Sequence, residues 1–172
     1  MCEKNKFPLG IFAWFGYNLS ITESFHKILD AGFERVMLWW GEYEGDLPLS
    51  EQVKRARQLG LEIENAHAPY DGANDLWKRN ESGILYAEKL LSCLQGCYEQ
   101  HVPTLVVHLS DGMQPPEPSK IGLERLKKVV ETAEKFQIRL AFENLKDIPQ
   151  LEAVMKTFSS YQYTGFCYDS GH

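Results

Sequence analysis

His67, His108, Glu143 and Asp169 stand 41, 35 and 26 residues apart, and His172 follows three residues later. Each of the first four closes a short β-rich run, so one metal-competent side chain recurs per strand-plus-helix repeat. In a parallel sheet or barrel the carboxyl ends of the strands share one rim, and side chains from successive strands converge there. A set of imidazoles and carboxylates meeting at one mouth suits a divalent cation such as manganese, cobalt, zinc or iron, or magnesium where fewer imidazoles take part. A lone histidine at a strand end is commonly structural, and Asp169 alone could close a turn. The recurrence is what favours a metal site, because burying Glu143 and Asp169 together is costly without a cation or a partner.

The elements that must position these groups alternate along the chain. Strands are expected over Gly10 to Gly16, Arg35 to Trp40, Leu61 to His67, Thr104 to Leu109, Ile138 to Asn144 and Tyr163 to Asp169. Helices are expected between them. Ser20 and Glu23 form a capping box ahead of a helix that stops at Gly32, and Ser50 to Leu59 stops the same way at Gly60. Glu81 to Gln100 and Ser119 to Gln137 carry apolar residues at three- and four-residue spacing, as amphipathic helices do. Asp147 is placed to cap a fifth helix, with Pro149 in its first turn and an end near Phe158.

This rhythm predicts an α/β fold with a parallel sheet. The last expected strand is followed directly by Ser170-Gly171-His172, with no helix to cover its outer face. A single (β/α) barrel domain over residues 1–172, present through its sixth strand and lacking its last two βα units, is therefore expected, since a complete eight-stranded barrel uses about 250 residues. The rival is a doubly wound open sheet. Its nucleotide-binding form needs a Gly-rich loop after the first strand, where Trp14-Phe15-Gly16-Tyr17-Asn18 stands instead.

Alternation tests which way the side chains face. Inward Asp169 brings Cys167 and Gly165 with it and sends Phe166 and Tyr168 onto helices. Inward Glu143 adds Ala141 and leaves Leu140 and Phe142 outside, while inward His108 adds Val106 and Thr104 and leaves Leu105 and Val107 outside. Small inside and large outside fits a narrow barrel. The third strand breaks the pattern, for inward His67 implies inward Asn65 and Ile63 and turns Glu62 and Glu64 toward the helices. Either a bulge or carboxylates reaching solvent between helices would resolve it.

Composition narrows the function classes. The chain has 18 Lys and Arg against 24 Asp and Glu, a net charge of −6, and is 44% apolar. It is globular in composition, and its acidity disfavours nucleic acid or an anionic membrane as partner. No apolar run approaches the roughly 18 residues of a membrane span, and the amino terminus leads into no long apolar signal core. A cytoplasmic address is expected. The four cysteines do not form a secreted disulfide framework and are expected to be reduced and structural.

Ala66-His67-Ala68-Pro69-Tyr70, Val106 to Gly112, Ala141-Phe142-Glu143-Asn144-Leu145 and Gly165 to His172 together resemble the xylose isomerase-like TIM-barrel superfamily. That group includes sugar isomerases and epimerases and the endonuclease IV type of abasic-site nuclease. The resemblance implies that Glu143 and Asp169 are metal ligands, with Glu143 or a neighbouring carboxylate near the proton-transfer path. It implies that His172 touches substrate in epimerases or a further metal in nucleases. His67 and His108 would bind zinc in nucleases and contact or orient substrate in sugar-acting relatives.

The resulting expectation is a divalent-metal-dependent isomerase or epimerase of a sugar or related polyol or keto compound, working through an enediolate, with Glu143 and His172 catalytic. The partner would be a small sugar-like substrate, and a homo-oligomer is left open. Trp14, Trp39 and Tyr70, near Phe15 and Trp40, offer flat apolar faces to sugar C–H groups, although alternation lets only one of Trp39 and Trp40 face the pocket. The alternatives are a zinc phosphodiesterase of abasic DNA and a non-catalytic sugar- or metal-binding relative. Against the nuclease stand the net charge and the sequences Glu143-Asn144-Leu145-Lys146 and His108-Leu109-Ser110, which depart from its pattern. The proline-rich loop from Asp111 to Ser119 is long enough to overhang the rim, as a lid or as a stiff structural loop.

Overall fold

Three of the described helices open on a side chain that accepts from their unpaired N–H groups. Ser20 and Glu23 complete the expected capping box, with Glu23 N–H donating to Ser20 Oγ at 3.3 Å and Ser20 N–H to Glu23 Oε2 at 2.9 Å. Asn80 accepts from the Gly83 N–H and Ser119 from the Gly122 N–H. The computed structural model describes residues 9–41, 47–146 and 148–171, so the capping expected of Asp147 lies outside the described residues.

The elements run β1 (Gly10–Phe12), α1 (Ile21–Asp30), β2 (Arg35–Trp39), α2 (Leu49–Gln58), β3 (Glu62–His67), a 3₁₀ helix (Ala73–Trp77), α3 (Glu81–Glu99), β4 (Thr104–Val107), α4 (Lys120–Phe136), β5 (Arg139–Glu143), α5 (Pro149–Phe158) and β6 (Thr164–Cys167). All strand pairs are parallel and the spatial order is β1-β2-β3-β4-β5-β6. A doubly wound sheet reverses its strand order at a switch point. This sheet never does, which makes it a barrel wall and removes the open-sheet rival. The first strand stops at Phe12 rather than reaching Gly16, where the chain turns with φ at +87°.

The core lies between sheet and helices. Val36, Leu38, Leu105, Val107, Leu140 and Phe142 face outward from the sheet and are fully buried with Phe25, Val53, Leu90, Leu94, Leu126 and Val129. Each such side chain contributes roughly 1.5–3 kcal/mol on leaving water. Phe166 and Tyr168 depart from the expectation. They stay 58% and 75% exposed, because α4 and α5, the described helices that touch β6, leave both side chains uncovered.

The misfit in the third strand has a definite cause. Val36 pairs with Ile63 and Met37 with Asn65, so Glu64 is an extra residue and β3 carries a bulge. Below it the facing reverses. Ile63 joins the helix-side core instead of pointing inward, and a Cβ on Gly10 would lie 2.5 Å from Glu64 Oε2. Glu62 pairs with Arg35 at 3.0 Å. Together with Thr104 and Arg139 these residues line a polar floor cavity of about 460 Å³ at the amino-terminal end of the strands.

Candidate metal site

The bulge restores the alternation that the mouth requires. Above it, His67 ends β3 and pairs with Val106 of β4, whose next turn of chain carries His108, while β5 ends on Glu143 beside them. His67 Nε2 lies 3.1 Å and His108 Nε2 3.2 Å from the same carboxylate oxygen, Glu143 Oε2. One donor atom from each of the three residues falls within 4.8 Å of the other two, a group that can hold a metal ion.

The tautomer of His67 sharpens this. Its Nδ1 sits 2.8 Å from the carbonyl oxygen of Ala68, which can only accept, so Nδ1 carries the hydrogen. In the neutral ring Nε2 then presents a lone pair to a carboxylate oxygen. Two lone pairs at 3.1 Å repel unless a proton or a cation lies between them. With metal–ligand bonds of about 2.0–2.2 Å, neighbouring donors around one ion stand about 3 Å apart. The residues present therefore fit a divalent cation, and the Nδ1–H bond to Ala68 is the kind of outer contact that fixes a ligating imidazole.

Glu143 is buried, and burial alone would push its carboxyl up. With protons rather than a cation between the groups, hydrogen bonds and positive charge from His108 and His67 outweigh that and hold it below the usual carboxylate range. It is ionised at neutral pH, the form that a ligand or a base must have.

Aromatic rings fix the two imidazoles. Trp39 stacks on His67 with centroids 5.3 Å apart, and Tyr70 stacks on His108 at 4.8 Å and 17° between planes. Trp39 meets Tyr70 edge-on. Only Trp39 of the tryptophan pair faces the mouth, while Trp40 packs into the helix layer against Gly96. From His67 and Tyr70 a groove of about 690 Å³ extends past Trp39 and Phe12 to Trp14, Ser20 and Arg55.

No family model matches the chain, and no curated protein matches it in sequence. Solved structures do match. The fold is similar to that of an L-ribulose 3-epimerase (21% identity, TM-score 0.69, 94% of this chain and 60% of that one). It is similar to a D-tagatose 3-epimerase-like protein (21% identity, TM-score 0.72, 95% of this chain and 65% of that one). It is also similar to AP endonuclease, family 2, from Brucella melitensis (16% identity, TM-score 0.64, 92% of this chain and 67% of that one). The fold these structures share with this chain is of the TIM-barrel type. The chain spans about three-fifths of the length of the L-ribulose 3-epimerase.

In this barrel wall the other expected site residues fall into place unevenly. Asp169 lies beyond the end of β6 and is not in the His67–His108–Glu143 group. Its backbone is held by Asn144, and its Oδ1 accepts from the Gly171 N–H at 2.7 Å. His172 lies outside the described residues. Trp14 lines the far part of the groove, 68% exposed, and does not touch the imidazoles. The loop from Asp111 is anchored by Asn74, which pairs with both backbone groups of Asp111, and by Gln150, which donates to the Pro116 carbonyl.

Three supporting residues escaped the sequence reading. Tyr86 on α3 presents its hydroxyl to the carbonyls of Pro69 and His108, tying together the chain just past β3 and β4. Gln52 donates to the carbonyls of Trp39 and Leu47 from a buried position. Arg125 on α4 donates to the carbonyls of Asp75, Leu76, Lys78 and Asn80, locking the 3₁₀ helix in place. A polar residue on the buried stripe of an amphipathic helix was the available signal, and it applies to Gln52 and Tyr86.

Proposed function

We propose that the protein is a divalent-metal-dependent epimerase or isomerase of a sugar or related polyol or keto compound. The observation that carries this reading is the convergence of His67 and His108 on one oxygen of Glu143, at the carboxyl-terminal mouth of a wall whose fold sugar epimerases share. A bound divalent cation would polarise the substrate carbonyl and acidify the neighbouring C–H.

The remaining roles belong to the chain. Glu143 is ionised and ligates, and it lies next to the path of the proton that leaves one carbon and returns to its other face or to the adjacent carbon. Asp169 completes the carboxylate pair, and His172 is the second catalytic group. His67 and His108, held by Ala68, Trp39 and Tyr70, orient substrate oxygens. Trp39 and Tyr70 offer ring faces to sugar C–H groups, and Trp14 contacts the outer part of the substrate. A small sugar-like molecule is the expected substrate, and no described helix is long and apolar enough to cross a membrane.

The phosphodiesterase reading is weaker. A DNA enzyme neutralises phosphates around its mouth, and the loops here carry Asp71, Asp75 and Asp111 in a chain of net charge −6.

The test is solvent exchange. Protein loaded with Mn²⁺ or Co²⁺ and incubated with ketoses in D₂O should incorporate deuterium next to the carbonyl, read by NMR, with Glu143→Gln abolishing it. Metal-loaded protein that exchanges no ketose proton yet cleaves abasic DNA would replace this reading with the nuclease one.

A further inference from the structure

Glu143 faces the mouth, so alternation turns its neighbour Asn144 aside, toward β6. The Asn144 N–H continues the ladder, donating to the Cys167 carbonyl at 3.1 Å. Beyond Cys167 the regular pairing of β5 with β6 has ended. The Asn144 side chain takes over. Its Oδ1 accepts from the Asp169 N–H at 2.7 Å and its Nδ2 donates to the Asp169 carbonyl at 2.9 Å.

We infer that Asn144 is a positioning residue, whose amide stands in for one more residue of strand and fixes the backbone of Asp169 so that its carboxylate is presented beside Glu143. This rests on the proposed reading of Asp169 as a metal ligand. Two bonds on opposite sides of one residue fix both of its peptide planes, and so the direction of its Cα–Cβ bond. The bond from the Gly171 N–H to Oδ1 then restrains the carboxylate itself. Cys167 is the register partner of Glu143, and Asp169, two residues further on, falls on the same face by alternation.

The chemistry demands this residue type. Only a primary amide offers a donor and an acceptor side by side, and glutamine would be one methylene too long for the same span. Aspartate keeps the acceptor and loses the donor. The same reciprocal pairing recurs between Asn74 and Asp111, at 2.7 and 3.0 Å, on a residue that is not read as a metal ligand. Asn74 therefore serves as an internal control for loss of such a clamp.

The experiment is Co²⁺ titration followed by visible absorption, with amide hydrogen exchange of the metal-free protein. Asn144→Ala should weaken Co²⁺ binding about 10–100-fold, the range typical of contacts that orient a ligand. It should also shift the Co²⁺ bands toward those of Asp169→Asn and speed exchange at the Asp169 amide about tenfold or more. Asn74→Ala should leave the bands and the affinity as in the wild type. Should Asn144→Ala fail to fold by circular dichroism, Asn144→Asp is used, with a smaller shift in the same direction expected. If Asp169→Asn weakens Co²⁺ binding and the Asn144 variants bind and absorb as wild type, Asn144 has no such role. If Asp169→Asn itself binds as wild type, or the wild-type protein takes up no Co²⁺, the reading of Asp169 falls and this inference with it.

Discussion

Trp77 donates its indole N–H to the carbonyl of Leu109 across 2.6 Å, joining the 3₁₀ helix to the loop that follows β4. The indole lies directly against Gly122 in the first turn of α4, where a Cβ would overlap its six-membered ring. Alanine is ordinarily the better helix residue by about 0.5–1 kcal/mol. Here the overlap wins. Gly122→Ala should cost a net 1–3 kcal/mol, roughly the range for overpacking a core, read as a lower urea midpoint.

The two imidazoles and Glu143 should behave as one unit. Removing His67 or His108 leaves a buried carboxylate with one partner fewer, and each alanine variant should lose about 1–3 kcal/mol at neutral pH. Repeated in a Glu143→Gln background, the losses should shrink. A double-mutant cycle with a coupling below about 0.5 kcal/mol would show three independent residues instead.

Divalent ions should stabilise the wild type. A ligand that binds only the native state at about 100 times its dissociation constant adds about 2.7 kcal/mol. Thermal melts with Mn²⁺ or Co²⁺ should therefore rise, and those of His67→Ala and Glu143→Gln should move little.

Cys97 is fully buried in α3, and burial pushes its thiol from 9.0 up to about 12. The folded state holds this proton more tightly than the unfolded chain does. The resulting stability is complete below pH 9 and is lost as pH rises toward 12, at up to about 1.4 kcal/mol per pH unit. Alkaline denaturation series should show that slope, and Cys97→Ala should lack it. At pH 8 the native protein should leave Cys97 unmodified by thiol reagents.

The strand-ending residues His67, His108 and Glu143 were legible because their spacing follows the βα repeat, which is a property of sequence alone. Outward Leu140, Phe142, Leu105 and Val107 were legible for the same reason, being set by a period of two. The 3₁₀ helix at Ala73–Trp77 was not. Five residues are too few to display a period, and Arg125, fifty positions from Asp75, closes two of its carbonyls, those of Asp75 and Leu76, and two just beyond it. The exposure of Phe166 was also beyond pattern reading, since it depends on what covers β6 rather than on which way its side chains alternate. Asp169 was visible as a chemical group, whereas the amide that holds it depends on two strands ending in register.

The extra residue Glu64 makes β3 a strand with a change of phase halfway along. Its upper half answers to the cluster of imidazoles and carboxylate at the rim, and its lower half to the charge balance among Arg35, Glu62 and Arg139. Substitutions in one half leave the facing of the other intact. Loss of that single residue would instead put both halves on one alternation, so that either the imidazole or the floor carboxylates must turn into the helix layer. The two ends of the barrel can diversify separately only while this insertion is kept.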